Sequence, residues 1–199
     1  NTEPAHAFMR PAGSEQEALS FNYQSSRMLS LNGDWQFMMV DHKENIPECF
    51  FTSAYNSEQW QTLSVPSNWQ REGYGLPVYA NATIDTEPDE VGLYRKSFVV
   101  PQDWSNDRVI IHLAGVKTAF HLYLNGHNIG YAEPGYLPTE FDLTKWLKPG
   151  KNLLSLAVYR VIDVQEIENF DTWRLSGIFR DVNLVRRPNT YIEDFEIER

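Results

Sequence analysis

The chain has 199 residues, of which 42% are hydrophobic and 14% aromatic, so it is not a disordered, charge-dominated segment and fits one globular domain. Its formal net charge of -10 disfavours binding to nucleic acid or to an anionic membrane, because the long-range field repels both. The one cysteine, Cys49, cannot form a disulfide within the chain, and its partly apolar surroundings predict a small core residue.

Residues 1 to 30 are predicted to form an arm with one short helix. Ser14 is followed three residues later by Glu17, which is the spacing of a helix capping box. No stretch approaches the roughly 20 apolar residues that cross a bilayer, and residues 1 to 16 lack the pattern of a signal peptide. Because the chain begins with Asn, it fits a processed product, so the location stays unknown: soluble, and either cytoplasmic or exported after removal of a leader.

From Leu31 onward, runs of β-branched and aromatic residues alternate with turn signals, which predicts strands. The strongest signal is a hairpin around Asn125-Gly126, because a type I′ turn needs positive φ at both central residues. Thr144 to Leu147 is predicted to form a single helical turn after Asp142. The other predicted strands are 35–40, 93–100, 108–113, 153–160 and 178–185. Two antiparallel sheets packed face to face bury such faces most simply, so residues 31–188 are predicted to form an all-β, jelly-roll-like antiparallel β-sandwich.

Residues 189–199 are predicted to be a linker followed by a strand. Tyr191 to Ile197 alternate again in character, and the sequence then stops. A strand with no partner after it indicates the first strand of a second domain that is absent here.

The sequence contains no self-evident catalyst. The five histidines form no metal-binding motif, no glycine-rich phosphate loop occurs, and Ser176-Gly177 is not a nucleophile elbow. His121 lies between apolar residues on a strand and is predicted to be a hydrogen-bonded sheet residue. One acidic run is predicted to be solvated surface, and it comprises Asp85, Glu87, Asp89 and Glu90.

Asp171 lies in a different setting. It is followed by Trp173, Arg174 and a turn at Gly177, which brings anionic, aromatic and cationic groups together. A pyranose has apolar faces and a rim of hydroxyls, so a sugar site combines an aromatic platform with a few hydrogen-bonding groups. From these residues alone, a sugar site and a solvated loop both remain open.

Seven motifs along the chain resemble the beginning of the β-galactosidases of glycoside hydrolase family 2. They are Leu31-Asn32-Gly33-Asp34-Trp35, Val65 to Gln70, Pro77 to Thr83, Gly92 to Arg95, Phe120-His121-Leu122 with Asn125-Gly126, Phe141-Asp142-Leu143, and Asp171 to Val182. The last is the longest and most specific. Together the matches cover about residues 14 to 188 in the order of the family.

The resemblance implies the N-terminal sugar-binding domain of a retaining β-galactosidase, with a fold like that of galactose-binding domains. Such an enzyme hydrolyses terminal non-reducing β-D-galactose residues. An immunoglobulin-like domain is expected to follow, and then a barrel with both catalytic glutamates. A barrel of this type needs about 250 residues, so no catalytic residue is expected in this chain, which should be inactive alone.

The resemblance also assigns residues and partners. Asn81 and Asp171 would bind the β-galactoside substrate, and in the full-length enzyme Asp171 would ligate a sodium ion. Magnesium and a homo-oligomeric state are further expectations for the full-length enzyme, whose remaining domains would be partners in the same polypeptide. This chain is expected to hold no cofactor of its own.

Several readings stay open. Trp69 and Trp173 either pack in the interior or line the pocket, and Arg174 and Arg180 are predicted to be buried or half-buried residues that hold the loop through carboxylates or carbonyls. Residues 161–167 differ from the more polar loop of relatives, which leaves specificity and ion binding open. The alternative functions are a stand-alone carbohydrate-binding module and the same domain of a β-glucuronidase or a β-mannosidase.

Overall fold

A computed structural model describes residues 2–20, 25–79, 88–162 and 171–198 of the chain. In these residues it has one α-helix, α1 (Glu15–Leu19), and short 3₁₀ turns at Lys43–Asn45, Trp69–Glu72, Gln102–Trp104 and Thr144–Trp146. The strands are β1 (Met28–Ser30), β2 (Gly33–Val40), β3 (Gln61–Val65), β4 (Val78–Tyr79), β5 (Val91–Val99), β6 (Arg108–Leu113), β7 (Val116–Lys117), β8 (Ala119–Leu124), β9 (His127–Ala132), β10 (Thr139–Asp142), β11 (Lys151–Tyr159), β12 (Trp173–Arg174), β13 (Gly177–Ile178) and β14 (Val182–Arg187).

Two antiparallel sheets form the body of the molecule. The four-stranded sheet has the order β1-β14-β6-β10, and the six-stranded sheet has the order β3-β2-β5-β11-β8-β9. Two short ribbons, β4 with β12 and β7 with β13, complete the pairing among the described residues. This architecture confirms the predicted all-β antiparallel sandwich.

The core lies between the two sheets. In β8 the side chains alternate, so that Phe120, Leu122 and Leu124 are fully buried while the intervening side chains face outward. The Phe120 ring meets that of Phe141 on β10, in the opposite sheet, with the ring centroids 6.0 Å apart. The hairpin after β8 is also confirmed, since Asn125 and Gly126 have φ of 53° and 88°.

The connection between β2 and β3 covers the outer face of the six-stranded sheet. Phe50 is 2% exposed there and packs in a second apolar cluster with Val91, Leu93 and Ala157. Cys49, the preceding residue, is exposed and has φ of 57°. The prediction of a core position for Cys49 was therefore wrong, because the turn directs Phe50 inward and leaves Cys49 facing solvent.

The N-terminal arm has the predicted short helix. Ser14 accepts a hydrogen bond from the amide of Glu17 at 3.1 Å, so one half of the capping box forms. The Glu17 carboxylate instead accepts hydrogen bonds from the amides of Gly13 and Ser26, and it thereby ties the helix to the chain ahead of β1.

Two predicted segments differ from the structure. The expected strand over 178–185 is divided into β13 and β14, because the amide of Phe179 turns aside to the Gly115 carbonyl at 3.1 Å. Residues 191–198 belong to no strand. Tyr191 instead accepts a hydrogen bond from Arg108 at 3.0 Å, and Asp194 accepts one from the amide of Ala7 at 3.0 Å.

The predicted helical turn is confirmed by the 3₁₀ turn at Thr144–Trp146, which begins where Asp142 accepts a hydrogen bond from the amide of Thr144 at 2.9 Å. None of the described helices has the length and apolar character that crossing a membrane requires.

Candidate functional site

Asp171 lies two residues before β12, and the ribbon of β4 and β12 places two aromatic residues beside it. Tyr79 and Trp173 are opposite each other in the antiparallel register. The Tyr79 hydroxyl donates a hydrogen bond to Oδ1 of Asp171 at 2.7 Å. The Trp173 ring packs edge-on against the Tyr79 ring, with centroids 5.3 Å apart and an interplanar angle of 68°. We call these three residues the ribbon site.

The ribbon site is exposed. Trp173 keeps 55% of its surface accessible and Tyr79 keeps 36%, although large aromatic side chains usually bury most of theirs. The hydrogen bond to the Asp171 carboxylate, and then its negative charge, raise the pKa of the Tyr79 hydroxyl above its ordinary value. The phenol therefore remains a protonated donor near neutral pH. A carboxylate beside an exposed aromatic surface can accept hydrogen bonds from hydroxyls while an apolar face packs alongside.

Backbone hydrogen bonds hold the chain that follows β12. The carbonyl of Ser176 accepts from the amide of Trp69 at 3.1 Å, and the amide of Ser176 donates to the side chain of Gln70 at 2.9 Å. The amide of Ser67 also donates to the carbonyl of Ile178 at 2.8 Å. These contacts join the end of the ribbon to the 3₁₀ turn after β3.

A buried ion pair supports the other strand of the ribbon. Arg160 is 1% exposed, forms a salt bridge with Glu90 and donates a hydrogen bond to the carbonyl of Leu76 at 2.9 Å. Leu76 lies two residues before β4, so the ion pair fixes the chain that leads into the ribbon.

Glu90 is 8% exposed, so the prediction that it belongs to the solvated surface was wrong. Asp85 and Glu87, from the same acidic run, lie outside the described residues. Arg160 was not predicted as a functional or structural residue. The signal that identifies the pair is the register of two long strands, because Tyr159 pairs with Val91 and therefore places Arg160 next to Glu90.

The predicted substrate and pocket residues differ in whether the structure describes them and in how exposed they are. Asp171 is exposed on the ribbon site, whereas Asn81 lies outside the described residues. Trp69 is fully buried and packs on Phe37 with centroids 6.2 Å apart, so packing rather than pocket lining describes it. Trp173 has the exposure that pocket lining requires. Most of the divergent loop, 163–167, also lies outside the described residues.

The two arginines after Asp171 differ from each other. Arg174 lies on β12 and is half-buried, as predicted. Arg180 donates to the carbonyl of Tyr136 at 2.9 Å, which is the predicted kind of contact, but its side chain is exposed rather than buried.

His121 is a half-buried residue of β8, as predicted, and its ring lies 4.7 Å from that of Tyr131. Its Nδ1, however, has no hydrogen-bond partner among the described residues, so the prediction of a hydrogen-bonded histidine was wrong in that respect. Burial lowers the pKa of His121 below its ordinary value.

The described part of the chain contains no group of three or more His, Cys, Asp or Glu side chains arranged to hold a metal ion. Asp171 is a carboxylate that could supply one oxygen ligand to an ion.

A comparison with protein families identifies the domain. The family model described as "Glycosyl hydrolases family 2, sugar binding domain" matches residues 28–188. The chain belongs to glycoside hydrolase family 2. Its sandwich is the sugar-binding domain of that family, and the ribbon site lies within the matched residues.

Two curated relatives of this family 2 domain are β-galactosidases. The protein from Priestia megaterium is 37% identical over 211 residues, which cover 99% of this chain and 20% of the relative. The protein from Alteromonas mediterranea is 39% identical over 175 residues, which cover 82% of this chain and 17% of the relative. The chain thus spans about a fifth of the length of these relatives.

Solved structures confirm the fold of the family 2 domain. A β-glucuronidase from Bacteroides uniformis matches with a TM-score of 0.67 and 24% identity, covering 81% of this chain and 18% of that one. Another β-glucuronidase, from glycoside hydrolase family 2, matches with a TM-score of 0.65 and 26% identity, covering 83% of this chain and 18% of that one. The sandwich is therefore shared by family members whose names refer to different sugars.

Proposed function

We propose that this chain is the N-terminal sugar-binding domain of a retaining β-galactosidase, and that it supplies substrate contacts to an active site whose catalytic glutamates lie in another domain. The observation that carries the proposal is the ribbon site, in which a carboxylate and two exposed aromatic rings lie together on the surface of the family 2 domain. Terminal non-reducing β-D-galactose is the proposed substrate group.

In this proposal Asp171 accepts hydrogen bonds from galactosyl hydroxyls, and Trp173 provides apolar surface beside the sugar. Hydrogen bonds to an ionised acceptor are about twice as strong as neutral ones, so Asp171 would dominate the contribution of this domain. Asn81, two residues after β4 in the sequence, is proposed as a second contact through its amide. A sodium ion would take Asp171 as one oxygen ligand. Magnesium and homo-oligomer formation are proposed only for the full-length enzyme.

Two observations favour a galactoside over a glucuronide. Two β-galactosidases are 37% and 39% identical to this chain, whereas two β-glucuronidases of known structure are 24% and 26% identical. An uncharged galactoside also avoids the repulsion that a glucuronide carboxylate would meet near Asp171. Kinetic comparison of the two chromogenic glycosides on the full-length protein separates these alternatives.

The substitution Asp171→Ala in the full-length protein tests the proposed contact. Because each charge-assisted hydrogen bond contributes about 1.5–3 kcal/mol, kcat/KM should fall about 10- to 100-fold. The fall should include kcat if the contacts tighten toward the transition state. Steady-state kinetics and thermal unfolding are measured on the same preparation.

The control is Glu133→Ala. Glu133 also accepts a hydrogen bond from a tyrosine hydroxyl, that of Tyr131 at 2.7 Å, but it follows β9 and belongs to neither strand of the ribbon. Its removal should leave kcat/KM unchanged. If Asp171→Ala instead keeps a near-normal kcat/KM and lowers the melting temperature sharply, Asp171 is a scaffold residue and the proposal is wrong.

A second experiment separates an enzyme domain from a stand-alone binding module. The 199-residue chain should be β-rich by circular dichroism and should not hydrolyse a chromogenic β-galactoside above background. The reason is that retaining chemistry needs two carboxyl groups about 5–5.5 Å apart at the scissile bond, and the proposal places both in another domain. Calorimetry that gave micromolar affinity for galactose would favour the module.

A further inference from the structure

Tyr79 holds the Asp171 carboxylate through a direct hydrogen bond. Its hydroxyl donates to Oδ1 of Asp171 at 2.7 Å, which is an ideal distance for a hydroxyl donor to a carboxylate. The substrate residues assigned by family resemblance, Asn81 and Asp171, do not include it.

We propose that Tyr79 is a positioning residue that fixes the orientation of the Asp171 carboxylate for sugar binding. The inference rests on the proposed function, because it matters only if Asp171 contacts the substrate.

The surroundings of the two side chains differ. Asp171 is exposed and lies two residues before β12, a strand of only two residues. Tyr79 is itself restrained, because its backbone pairs with that of Trp173 and its ring packs against the Trp173 ring. The phenol therefore brings a donor from a fixed position to the Asp171 carboxylate.

The hydrogen bond also selects which acceptor sites remain for a sugar. An ionised carboxylate has about four lone-pair sites, and the phenol occupies one of those on Oδ1. With the torsion of the carboxylate set, the other sites point in defined directions. Fixed acceptors are effective because the sugar does not have to order them on binding.

A double-mutant cycle in the full-length protein tests the proposal. Tyr79→Phe removes only the hydroxyl oxygen and keeps the ring beside Trp173. It should lower kcat/KM about 3- to 10-fold, as expected for the loss of one hydrogen bond. In an Asp171→Ala background the same substitution should change kcat/KM less than about 2-fold, because its partner is gone.

Tyr131→Phe is the matched control. Tyr131 also donates to an exposed carboxylate at 2.7 Å and is 39% exposed, compared with 36% for Tyr79. Tyr131→Phe should leave kcat/KM unchanged. Neither Tyr79→Phe nor Tyr131→Phe should change the melting temperature.

The outcomes separate this inference from the proposed function. If Asp171→Ala lowers kcat/KM and Tyr79→Phe does not, the positioning role is overturned while the sugar contact stands. If Tyr79→Phe lowers kcat/KM equally in both backgrounds, Tyr79 acts independently of Asp171 and the inference is wrong. If Asp171→Ala itself has no effect on kcat/KM, the proposed function fails, and the positioning role fails with it.

Discussion

Arg160 is a buried charged residue whose guanidinium has both a salt-bridge partner and a hydrogen-bond acceptor. Its side chain binds Glu90 through a salt bridge and donates to the carbonyl of Leu76, while its own carbonyl accepts from the hydroxyl of Thr118 at 2.8 Å. A buried charge costs free energy unless it is paired and hydrogen-bonded, so these contacts depend on one another.

Arg160→Met should therefore lower the free energy of unfolding by about 3–5 kcal/mol, because Glu90 is left buried without its partner. Urea unfolding followed by circular dichroism measures the change. The control is Arg108→Met: Arg108 is 30% exposed and bridges Glu3 and Asp142, so its loss should cost about 1 kcal/mol or less. A loss at Arg160 no larger than at Arg108 would show that the buried pair contributes little.

At the same scale, the sequence indicated Asp171 and Trp173 of the ribbon site but not Tyr79. Asp171 could be singled out because the residues around it form a specific motif, and the structure places it, exposed, near Trp173. Tyr79 could not be singled out, because a tyrosine at the end of an apolar run is typical of any strand. Only the register of β4 with β12 places it opposite Trp173 and next to Asp171.

At the scale of elements, local patterns predicted strands but not the pairing between distant ones. β6 was predicted with its observed bounds, and the hairpin of β8 and β9 followed from Asn125-Gly126. The ribbons formed by β4 with β12 and by β7 with β13 escaped prediction, because two residues carry no detectable alternation. Each ribbon pairs two segments that are distant in the sequence, and the longer strands of the two main sheets bring these segments together.

Gly177 shows how closely one ribbon approaches the core. Its φ is 120°, and an added Cβ would lie 2.9 Å from the Tyr94 hydroxyl oxygen and 3.0 Å from the Ser67 carbonyl. Gly177→Ala therefore combines backbone strain with a steric clash, and it should lower the free energy of unfolding by about 3 kcal/mol or more. Because Gly177 follows β12 closely, the full-length variant should also lose activity.

Gly150→Ala is the matched control for Gly177→Ala. Gly150 also has positive φ, 79°, but nothing lies within 4 Å of an added Cβ. The control should cost only about 1–2 kcal/mol of backbone strain. Urea unfolding of both variants measures the difference, and equal losses would mean that the contacts of Gly177 with Tyr94 and Ser67 do not matter.

At the scale of the whole molecule, the two ends of the chain meet over the four-stranded sheet. The amide of Glu3 donates to the carbonyl of Glu140 on β10 at 2.9 Å, and the amide of Ala7 donates to Asp194 at 3.0 Å. The carboxylate of Glu140 is 7% exposed and binds His6 of the arm, His112 of β6 and Arg187 of β14. One carboxylate therefore joins the arm to two strands.

These partners make the stability of the molecule depend on pH. Burial of Glu140 raises its pKa, but hydrogen bonds from His112 and His6 and the charge of Arg187 outweigh burial and lower the pKa from 4.5 to about 2. The folded state therefore holds fewer protons than the unfolded state between these values, so this stabilisation is complete above about pH 4.5 and is lost as the pH falls toward 2. The pKa difference corresponds to about 3 kcal/mol.

His6 acts in the opposite direction. Its hydrogen bond to the Ala7 carbonyl raises its pKa, burial opposes this effect, and Glu140 raises the pKa further, with a net increase above 6.5. The protonated form is thus favoured in the folded state, and its contribution is present below pH 6.5 and is lost as the pH rises through the higher, folded value. The two contributions overlap between about pH 4.5 and 6.5.

Glu140→Gln tests this dependence. Urea unfolding of the wild-type chain and of the variant should give a stability difference that is largest between about pH 5 and 6 and that shrinks by about 3 kcal/mol as the pH falls toward 2. His6→Ala should remove the part that is lost at higher pH, and it should also reduce the part that is lost at low pH, because the hydrogen bond from His6 helps to lower the pKa of Glu140. Glu133→Gln controls for the change in net charge, because Glu133 is exposed and its carboxylate accepts a hydrogen bond from Tyr131 rather than from a histidine or an arginine. A difference between wild type and Glu140→Gln that stays constant from pH 2 to 8 would show that the Glu140 carboxylate does not link the arm to the sheet through its charge.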